Sequence, residues 1–187
     1  MITDKILTGD KIILRQIEMR DCTERYVSWL NDREVNRFLE TKWTKQDIES
    51  ITGFVKGQIE NDHSFLFAIV YKENGMHIGN IKLGPVHSHY SHADISYFIG
   101  EKEYWHRGIA TEAIRLICDF GFNYLKLHRI EAGAYECAVG SWKALEKCGF
   151  KREGVFREQV YYNDRYIDVY RYGMLCNEYS MEKDLIK

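Results

Sequence analysis

The stretch Ala93–Ala113, ADISYFIGEKEYWHRGIATEA, places an apolar strand, a short charged loop and the start of an amphipathic helix one after another. The first N–H groups of a helix have no partner within it and carry partial positive charge, so they bind phosphate groups readily. Gly108 lets the backbone approach a ligand closely at this helix start, and Arg107 adds a positive charge beside it. The stretch therefore predicts a pyrophosphate-bearing ligand at a strand end.

Alternating and continuous apolar segments on both sides of this stretch predict about seven strands in all. They are Lys11–Gln16, Phe65–Tyr71, His77–Leu83, Ala93–Ile99, Arg129–Tyr135, Val155–Tyr162 and Arg165–Leu175. Asn74-Gly75 and Asn163-Asp164 lie at the turns of two predicted hairpins. The order of elements predicts a mixed α/β fold with a largely antiparallel sheet.

Helix starts and helix faces can also be assigned from the sequence. Asp21 with Glu24 forms a capping-box pattern, and Thr44 and Asp47 mark another helix start. A helix over Val139–Cys148 should end at Gly149. The helix after Gly108 is predicted to cover the sheet with one apolar face, formed by Ala113, Ile114, Ile117, Phe120 and Tyr124.

Other phosphate-binding motifs fit the loop less well. No Lys-Ser or Lys-Thr pair follows Gly108, which excludes a Walker A loop. A dinucleotide fingerprint matches Gly108, Ala110 and Ala113 with two substitutions, and Glu131 lies where a ribose partner is expected. However, alanine stands at the second glycine, which should let the pyrophosphate touch backbone. Dinucleotide binding therefore remains an alternative.

Two blocks resemble the GNAT superfamily of N-acetyltransferases, in particular its ribosomal-protein N-acetyltransferase branch. YWHRGIATEA is similar to the pyrophosphate loop [QR]-x-x-G-x-[GA] at Gly108 and Ala110, with Trp105 at the first position. Downstream, ECAVGSWKALEKCGFKREG is similar to N-x-x-x-S-x-x-x-L-E-K-x-G-F-x-x-E-G, with Cys137 in place of the asparagine. The resemblance extends from about Lys11 to Leu175.

This resemblance implies a mixed, mostly antiparallel twisted sheet of about seven strands, with splayed central strands and flanking helices. It implies acetyl-CoA as co-substrate and direct attack of a primary amine on the thioester. The implied coenzyme-binding residues are Phe98, Ile99, His106, Arg107, Gly108, Ile109, Ala110, Thr111, Cys137 and Ser141. The amides around Phe98 and Ile99 would bind the pantetheine and the thioester oxygen.

Two residues are candidates for catalysis. Asp94 lies where many relatives carry glutamate at the strand start, and we expect it to act as the general base, since a free alkylamine has a pKa of about 10.4. The tyrosine that serves as general acid in some relatives is replaced by Leu145. Ser141 is the remaining candidate near the thiolate, as a coenzyme contact or as a proton donor. Cys137 and Leu145 keep a non-catalytic acyl-CoA or dinucleotide-binding module open as an alternative.

Acceptor specificity is expected from the early helices, around RYVSWLNDREVNRFLE. Trp29, Asp32 and Arg37 are the predicted acceptor-binding residues, and Arg33 and Arg37 could hold a phosphate or carboxylate. A similar WLND-x-EV stretch occurs in relatives from surface-polysaccharide pathways, which favours a nucleotide-linked amino sugar. A protein N-terminus, a polyamine or an aminoglycoside stays open.

The loop before Ala93 contains His87, His89 and His92, which could ligate zinc. No Cys, Asp or Glu completes the spacing before Asp94, so we expect no metal and a loop that lines the substrate site instead.

The composition limits the class of protein. A chain of 187 residues with 45% hydrophobic residues is most simply one N-acetyltransferase domain over residues 1–187. A net charge of −2 argues against a nucleic-acid partner. We find no signal peptide or membrane-spanning run, and Cys118 and Cys148 fall in helical segments like packed, reduced thiols. We therefore expect a cytoplasmic protein without a membrane partner, and a homodimer remains open.

Overall fold

One sheet forms the centre of the fold. The computed structural model describes residues 6–179. Its strands are β1 (Leu7–Thr8), β2 (Ile12–Gln16), β3 (Phe65–Tyr71), β4 (Met76–His87), β5 (His92–Ile99), β6 (Arg129–Tyr135), β7 (Lys151–Tyr162) and β8 (Arg165–Leu175). Within that part of the chain they form an eight-stranded sheet in the order β1-β2-β3-β4-β5-β6-β8-β7. Only β5 and β6 are parallel neighbours. The predicted mixed sheet is confirmed, with β1 as an additional strand.

Helices cover both faces of the sheet. They are α1 (Glu24–Asn31), α2 (Ile48–Ile59), α3 (Ile109–Asp119) and α4 (Val139–Lys147). On one face α3 and α4 contribute Ile114, Ile117 and Leu145 to the larger core cluster, together with strand residues such as Ile81 and Ile130. On the other face α1 and α2 form a second cluster with β3. The splayed strands described below therefore lie between two helical layers.

The starts of α1 and α2 are capped by side chains, and at one of them the cap is not the predicted residue. Asp47 caps α2, since its Oδ1 accepts from the Ser50 N–H at 2.8 Å. At α1 the prediction of Asp21 is wrong, because Thr23 is the N-cap and Asp21 is buried. The Asp21 carboxylate instead accepts from both Arg15 guanidinium nitrogens, at 2.7 and 2.6 Å. A buried carboxylate is stabilised more by a bidentate arginine than by a backbone N–H.

The helical face predicted after Gly108 is correct up to Phe120 and wrong at Tyr124. Ala113, Ile114, Ile117 and Phe120 are all buried, whereas Tyr124 is 47% exposed. The chain changes to a π-helical turn over Phe120–Tyr124. Because a π turn contains more residues than an α turn, it moves the next side chain off the helix face.

The β7–β8 hairpin closes the sheet at one edge. Asn163 and Asp164 form its turn and both have positive φ, at 50° and 61°. This confirms the predicted hairpin, although β7 begins at Lys151 rather than Val155. Most side chains of β7 are exposed, including Phe156 and Tyr161. Over residues 6–179, no helix has the length and apolar character needed to cross a lipid bilayer.

Candidate active site

The parallel strands β5 and β6 separate after a short junction. They pair at three positions only, His92 with Arg129, Ala93 with Ile130 and Asp94 with Glu131. Beyond these pairs β5 continues to Ile99 and β6 to Tyr135 without pairing to each other. The splayed central strands implied by the resemblance are therefore present. We call the space between the unpaired ends of β5 and β6 the strand gap.

The end of β5 directs backbone amides into the strand gap. The Gly100 N–H donates to the Ile78 carbonyl at 2.8 Å, and residues of an antiparallel pair alternate between facing their partner and facing away. The Phe98 N–H therefore points to β4, and the N–H and C=O of Ile99 point into the strand gap. In agreement, the Trp105 indole N–H donates to the Ile99 carbonyl at 2.8 Å. Of the two predicted amide donors, Ile99 faces the gap.

The loop before α3 has the backbone conformation of an anion-binding helix start. His106 and Gly108 have positive φ, at 60° and 81°, and α3 begins at Ile109. No side chain caps Gly108, and a Cβ added there would meet nothing within 4 Å. The amides at the start of α3 therefore face open space. The Lys11 ammonium donates to the Arg107 carbonyl at 2.8 Å and fixes the loop to the first strands.

These features fit a pyrophosphate group carried by a long, narrow chain. The N-terminal amides of α3, around Ile109, Ala110 and Thr111, supply donors without an intrahelical partner. The strand gap begins one short loop away and offers the Ile99 amide. Backbone, rather than side chains, supplies most of these contacts.

Asp94 lies at the closed end of the strand gap, on the sheet face opposite α3. Its neighbours Ala93 and Ile95 are buried in the α3 core, so the alternation of β5 directs Asp94 to the other face. The Asp94 side chain is 36% exposed, and its Oδ2 lies 3.5 Å from Arg171 Nη2. Partial burial raises the pKa of Asp94 to about 6, against the opposing effect of Arg171 and with a smaller contribution from Glu131.

Ser141 lies in the first turn of α4 and contacts a residue that sequence reasoning did not select. The Tyr97 hydroxyl lies 2.9 Å from Ser141 Oγ and 3.0 Å from the Ser141 carbonyl oxygen. Burial raises the pKa of Tyr97, so the phenol stays protonated at neutral pH. Tyr97 follows Asp94 by three positions in β5, but its apolar surroundings in the sequence give no sign of this contact.

The two positions that depart from the family pattern differ in surroundings. Cys137 is half-buried beside the start of α4, and burial raises the pKa of its thiol. The thiol is therefore mostly protonated at neutral pH, which does not favour it as a nucleophile. Leu145 is fully buried in the core between α4 and the sheet.

The three predicted acceptor-binding residues lie in different surroundings. Trp29 is only 4% exposed, and its indole N–H donates to Glu101 at 3.1 Å. Asp32 binds the Lys102 ammonium at 2.7 Å. Only Arg37 lines the open cavity on this side of the protein. Direct acceptor contacts by Trp29 and Asp32 stay predictions.

That cavity has a volume of about 750 Å³ and lies between two distant parts of the chain, residues 31–45 and the β7–β8 turn. We call it the acceptor-side cavity. Lys42, Lys45 and Tyr162 belong to its lining, and none of the three is among the predicted acceptor-binding residues. The sequence signal for Lys42 and Lys45 is their charge near Arg37. Tyr162 gives no such signal, because only the fold brings it to the same place.

The histidine-rich loop contains packed side chains. The rings of His87 and His92 stack with centroids 4.5 Å apart, and His92 Nδ1 lies 3.6 Å from Glu131 Oε1. Within residues 6–179, no group of three or more His, Cys, Asp or Glu side chains is arranged to hold a metal ion.

Comparison with known proteins identifies the family. The model of the acetyltransferase (GNAT) domain family matches residues 11–151. The uncharacterized N-acetyltransferase p20 of Bacillus licheniformis is 31% identical over 180 residues, which cover 93% of this chain and 98% of that protein. The chain belongs to the GNAT acetyltransferases. The family expected from the pyrophosphate loop and the α4 block is thereby confirmed.

Two further comparisons involve polyamine enzymes. The spermidine N(1)-acetyltransferase of Vibrio cholerae is 27% identical over 177 residues, covering 91% of this chain and 96% of that protein. The crystal structure of the Vibrio cholerae spermidine N-acetyltransferase with CoA and spermine has a TM-score of 0.82 at 22% identity, covering 92% and 99% of the two chains. At 22% identity, this structural similarity shows that the two proteins share a fold. As in the rest of its family, the chain's activity is acetyl-CoA-dependent N-acetyl transfer.

Proposed function

We propose that this protein transfers the acetyl group of acetyl-CoA directly to a primary amine of a small molecule, with Asp94 as general base. The observation that carries the proposal is the position of Asp94 at the closed end of the strand gap, on the face opposite the pyrophosphate loop. An amine approaching from this face would meet the carboxylate, while the coenzyme occupies the other side. Coenzyme and acceptor then reach the reacting carbon from opposite directions.

The protonation state of Asp94 suits this role. An alkylammonium with a pKa of about 10.4 must lose a proton before it can attack. A carboxyl with a pKa of about 6 is mostly ionised at neutral pH and is a stronger base than an ordinary aspartate. Asp94 would take the proton directly or through one water molecule. Arg171 lowers the pKa of this carboxyl and so favours its ionised form.

The backbone of β5 would polarise the reacting carbonyl. By the same alternation as the Ile99 N–H, the Tyr97 N–H points into the strand gap two residues nearer Asp94. It can donate to the thioester oxygen as negative charge develops there, while the Ile99 N–H binds the pantetheine. A preorganised donor of this kind contributes about 3–4 kcal/mol to transition-state stabilisation in other enzymes. His106, Arg107 and Gly108, with the first turn of α3, would hold the pyrophosphate.

Ser141 and Tyr97 would serve the leaving thiolate. The Ser141 hydroxyl lies in the first turn of α4, where partial positive charge favours a nearby anion. Tyr97 contacts this hydroxyl at 2.9 Å and would orient it, so that the Ser141 hydroxyl can donate a hydrogen bond to the thiolate. Cys137 would contribute a weaker contact to the coenzyme than the family asparagine.

The proposal also concerns the chemical class of the acceptor. Relatives named as spermidine acetyltransferases support a small-molecule amine as substrate. Among the acceptors considered from the sequence, a nucleotide-linked amino sugar is favoured over a protein N-terminus. The acceptor-side cavity, at about 750 Å³, has the size of a small-molecule site.

Calorimetric titration with acetyl-CoA and, separately, with NAD and NADP tests the coenzyme assignment. We expect micromolar binding of acetyl-CoA alone, followed by release of CoA when suitable primary amines are added. Binding of a nicotinamide cofactor instead would contradict the proposal. Acetyl-CoA binding without transfer to any member of an amine panel would favour the non-catalytic module.

A further inference from the structure

The acceptor-side cavity is lined by cationic side chains from one segment. Arg33, Arg37, Lys42 and Lys45 all belong to its wall. In the described residues, none of these four has a carboxylate oxygen within 4.0 Å. The chain as a whole carries a net charge of −2, so this concentration of positive charge is local.

The carboxylates of the cavity do not neutralise these cations. Glu34 and Asp164 are the acidic residues of the wall. Glu34 is bound to the Lys102 ammonium, which also binds Asp32. Glu40, whose charge acts on Lys42, accepts from the Tyr135 hydroxyl and makes no ion pair with Lys42 within 4.0 Å. The wall therefore keeps an excess of positive charge inside a concave surface, where low-dielectric walls strengthen the field on an anion.

Lys42 is held in place by aromatic and backbone groups. Its ammonium lies 3.3 Å from both the Tyr135 hydroxyl and the Arg37 carbonyl oxygen. It also lies 4.7 Å from the centre of the Tyr135 ring and 5.5 Å from that of Tyr162. Burial lowers the pKa of this ammonium. The negative charge of Glu40 opposes this effect only in part, so a bound anion would add opposite charge at the ammonium.

The position of Tyr135 connects this cavity to the strand gap. Tyr135 ends β6, four residues beyond Glu131, which pairs with Asp94. At about 3.3 Å per residue, Tyr135 lies roughly 13 Å along the strand from Glu131 and therefore from the level of Asp94. A general base must lie within about 3 Å of the amine, so amine and anion would be separated by roughly 10 Å. A sugar ring with one or two phosphate groups spans such a distance.

We propose that the acceptor-side cavity binds a phosphate or diphosphate group of the acceptor, so that the substrate is an anionic amine rather than a polyamine. This inference rests on the proposed function and adds the chemical class of the acceptor. Arg33, Arg37 and Lys45 contact the anion from the solvent side, and Lys42 contacts it from inside. Trp43 and Tyr161 are 64% and 49% exposed at the same cavity, where either ring could stack on a nucleobase.

The test is calorimetric binding of UDP, inorganic pyrophosphate and uridine to the full-length protein saturated with CoA. Saturation keeps the probes away from the pyrophosphate loop. We expect UDP to bind, and the Arg37→Gln substitution to weaken binding by about tenfold, as expected for loss of a charge-assisted contact. The control is Arg157→Gln, which removes the same charge from β7 outside the cavity and should leave UDP binding unchanged.

The probes distinguish the source of the anion. Equal binding of pyrophosphate and UDP would support a sugar phosphate as acceptor, whereas tighter binding of UDP would support a nucleotide-linked sugar. If Arg37→Gln does not fold, Lys45→Gln replaces it, since Lys45 is exposed and makes no ion pair in the described chain.

Failure of this inference is separable from failure of the proposed function. Absence of UDP and pyrophosphate binding, or binding that neither cavity substitution weakens, would overturn the anionic subsite. The proposed function would stand in that case if the same preparation binds acetyl-CoA and acetylates an amine. If the protein does not bind acetyl-CoA, in contrast, the proposed function is wrong whatever the cavity binds.

Discussion

The two sides of the strand gap are built in different ways. The coenzyme side is formed by backbone, namely the positive φ of Gly108, the first amides of α3 and the inward-pointing Ile99 amide. The proposed acceptor side is formed by side chains of residues 31–45 and of the β7–β8 turn. A backbone site tolerates many sequences, whereas a side-chain site changes with each substitution. The family resemblance therefore predicts which coenzyme the protein binds but not which acceptor.

The largest effect on coenzyme binding is expected from Gly108→Trp. The left-handed backbone penalises any side chain there, and an indole would fill the open space in front of α3. We expect the Kd for acetyl-CoA to rise by at least about 100-fold, or nearly 3 kcal/mol. Calorimetry measures the Kd. The control is Gly53→Trp on the exposed side of α2, where a side chain also meets open space; similar loss in both variants would contradict a backbone site at Gly108.

Asp94→Asn should affect catalysis next most strongly. We expect kcat/KM to fall by about 10²–10⁴-fold, the usual range for loss of a general base. In the wild-type protein kcat/KM should rise with pH through the Asp94 pKa of about 6, because the base must be ionised, and the variant should lack this rise. A pH–rate profile measures both. A pH–rate profile of Asp94→Asn that matches the wild-type profile would contradict the assignment of Asp94 as the general base.

The neighbours of Asp94 give a sharper version of the same test. Lys82, Glu131 and Arg171 face this carboxylate from β4, β6 and β8, and Glu131 raises its pKa whereas Lys82 and Arg171 lower it. We expect Arg171→Gln to move the rise in kcat/KM to higher pH and Glu131→Gln to move it to lower pH. Shifts in the same direction would indicate that another group titrates.

A moderate effect is expected from Tyr97→Phe. The substitution removes one hydroxyl contact to Ser141 while keeping the buried ring. A hydrogen bond contributes about 1 kcal/mol, so kcat should fall by roughly fivefold. The KM for acetyl-CoA should change little, and steady-state kinetics separates the two constants. A purely structural role would lower the melting temperature without lowering kcat.

The smallest effect is expected from Tyr161→Ser on the acceptor side. Tyr161 is half-exposed and contacts the Tyr166 ring at 5.2 Å between centroids. We expect the free energy of unfolding to change by less than about 0.5 kcal/mol, as for most surface substitutions. Leu145→Ala is the reference, with an expected loss of about 2–5 kcal/mol from the core. Urea denaturation compares the two, and similar losses would show that the hairpin turn belongs to the core.

The parts of the site that local sequence determines could be predicted. Gly108 precedes an amphipathic helix and Asp94 lies in an alternating strand. Both settings depend on neighbouring residues alone, and both residues lie where the sequence predicts them. The direction of the Ile99 amide depends on the register with β4, which periodicity does not give. Lys42 meets Tyr135 from 93 positions away. The contact between Tyr97 and Ser141 likewise depends on the packing of α4, so no local pattern marks it.

The three-pair junction of β5 and β6 also has a consequence for how the chain folds. On one side of it, β1 to β5 each pair with the next strand in sequence, and on the other side β7 and β8 form a hairpin. Four of these pairs, β1–β2, β3–β4, β4–β5 and β7–β8, close through short loops, which favours rapid formation, whereas β2 and β3 are joined through α1 and α2. The junction also closes a long crossover, through α3, and its three residue pairs return few backbone hydrogen bonds for the chain entropy lost. We therefore expect this junction to form late, after both halves of the sheet are in place.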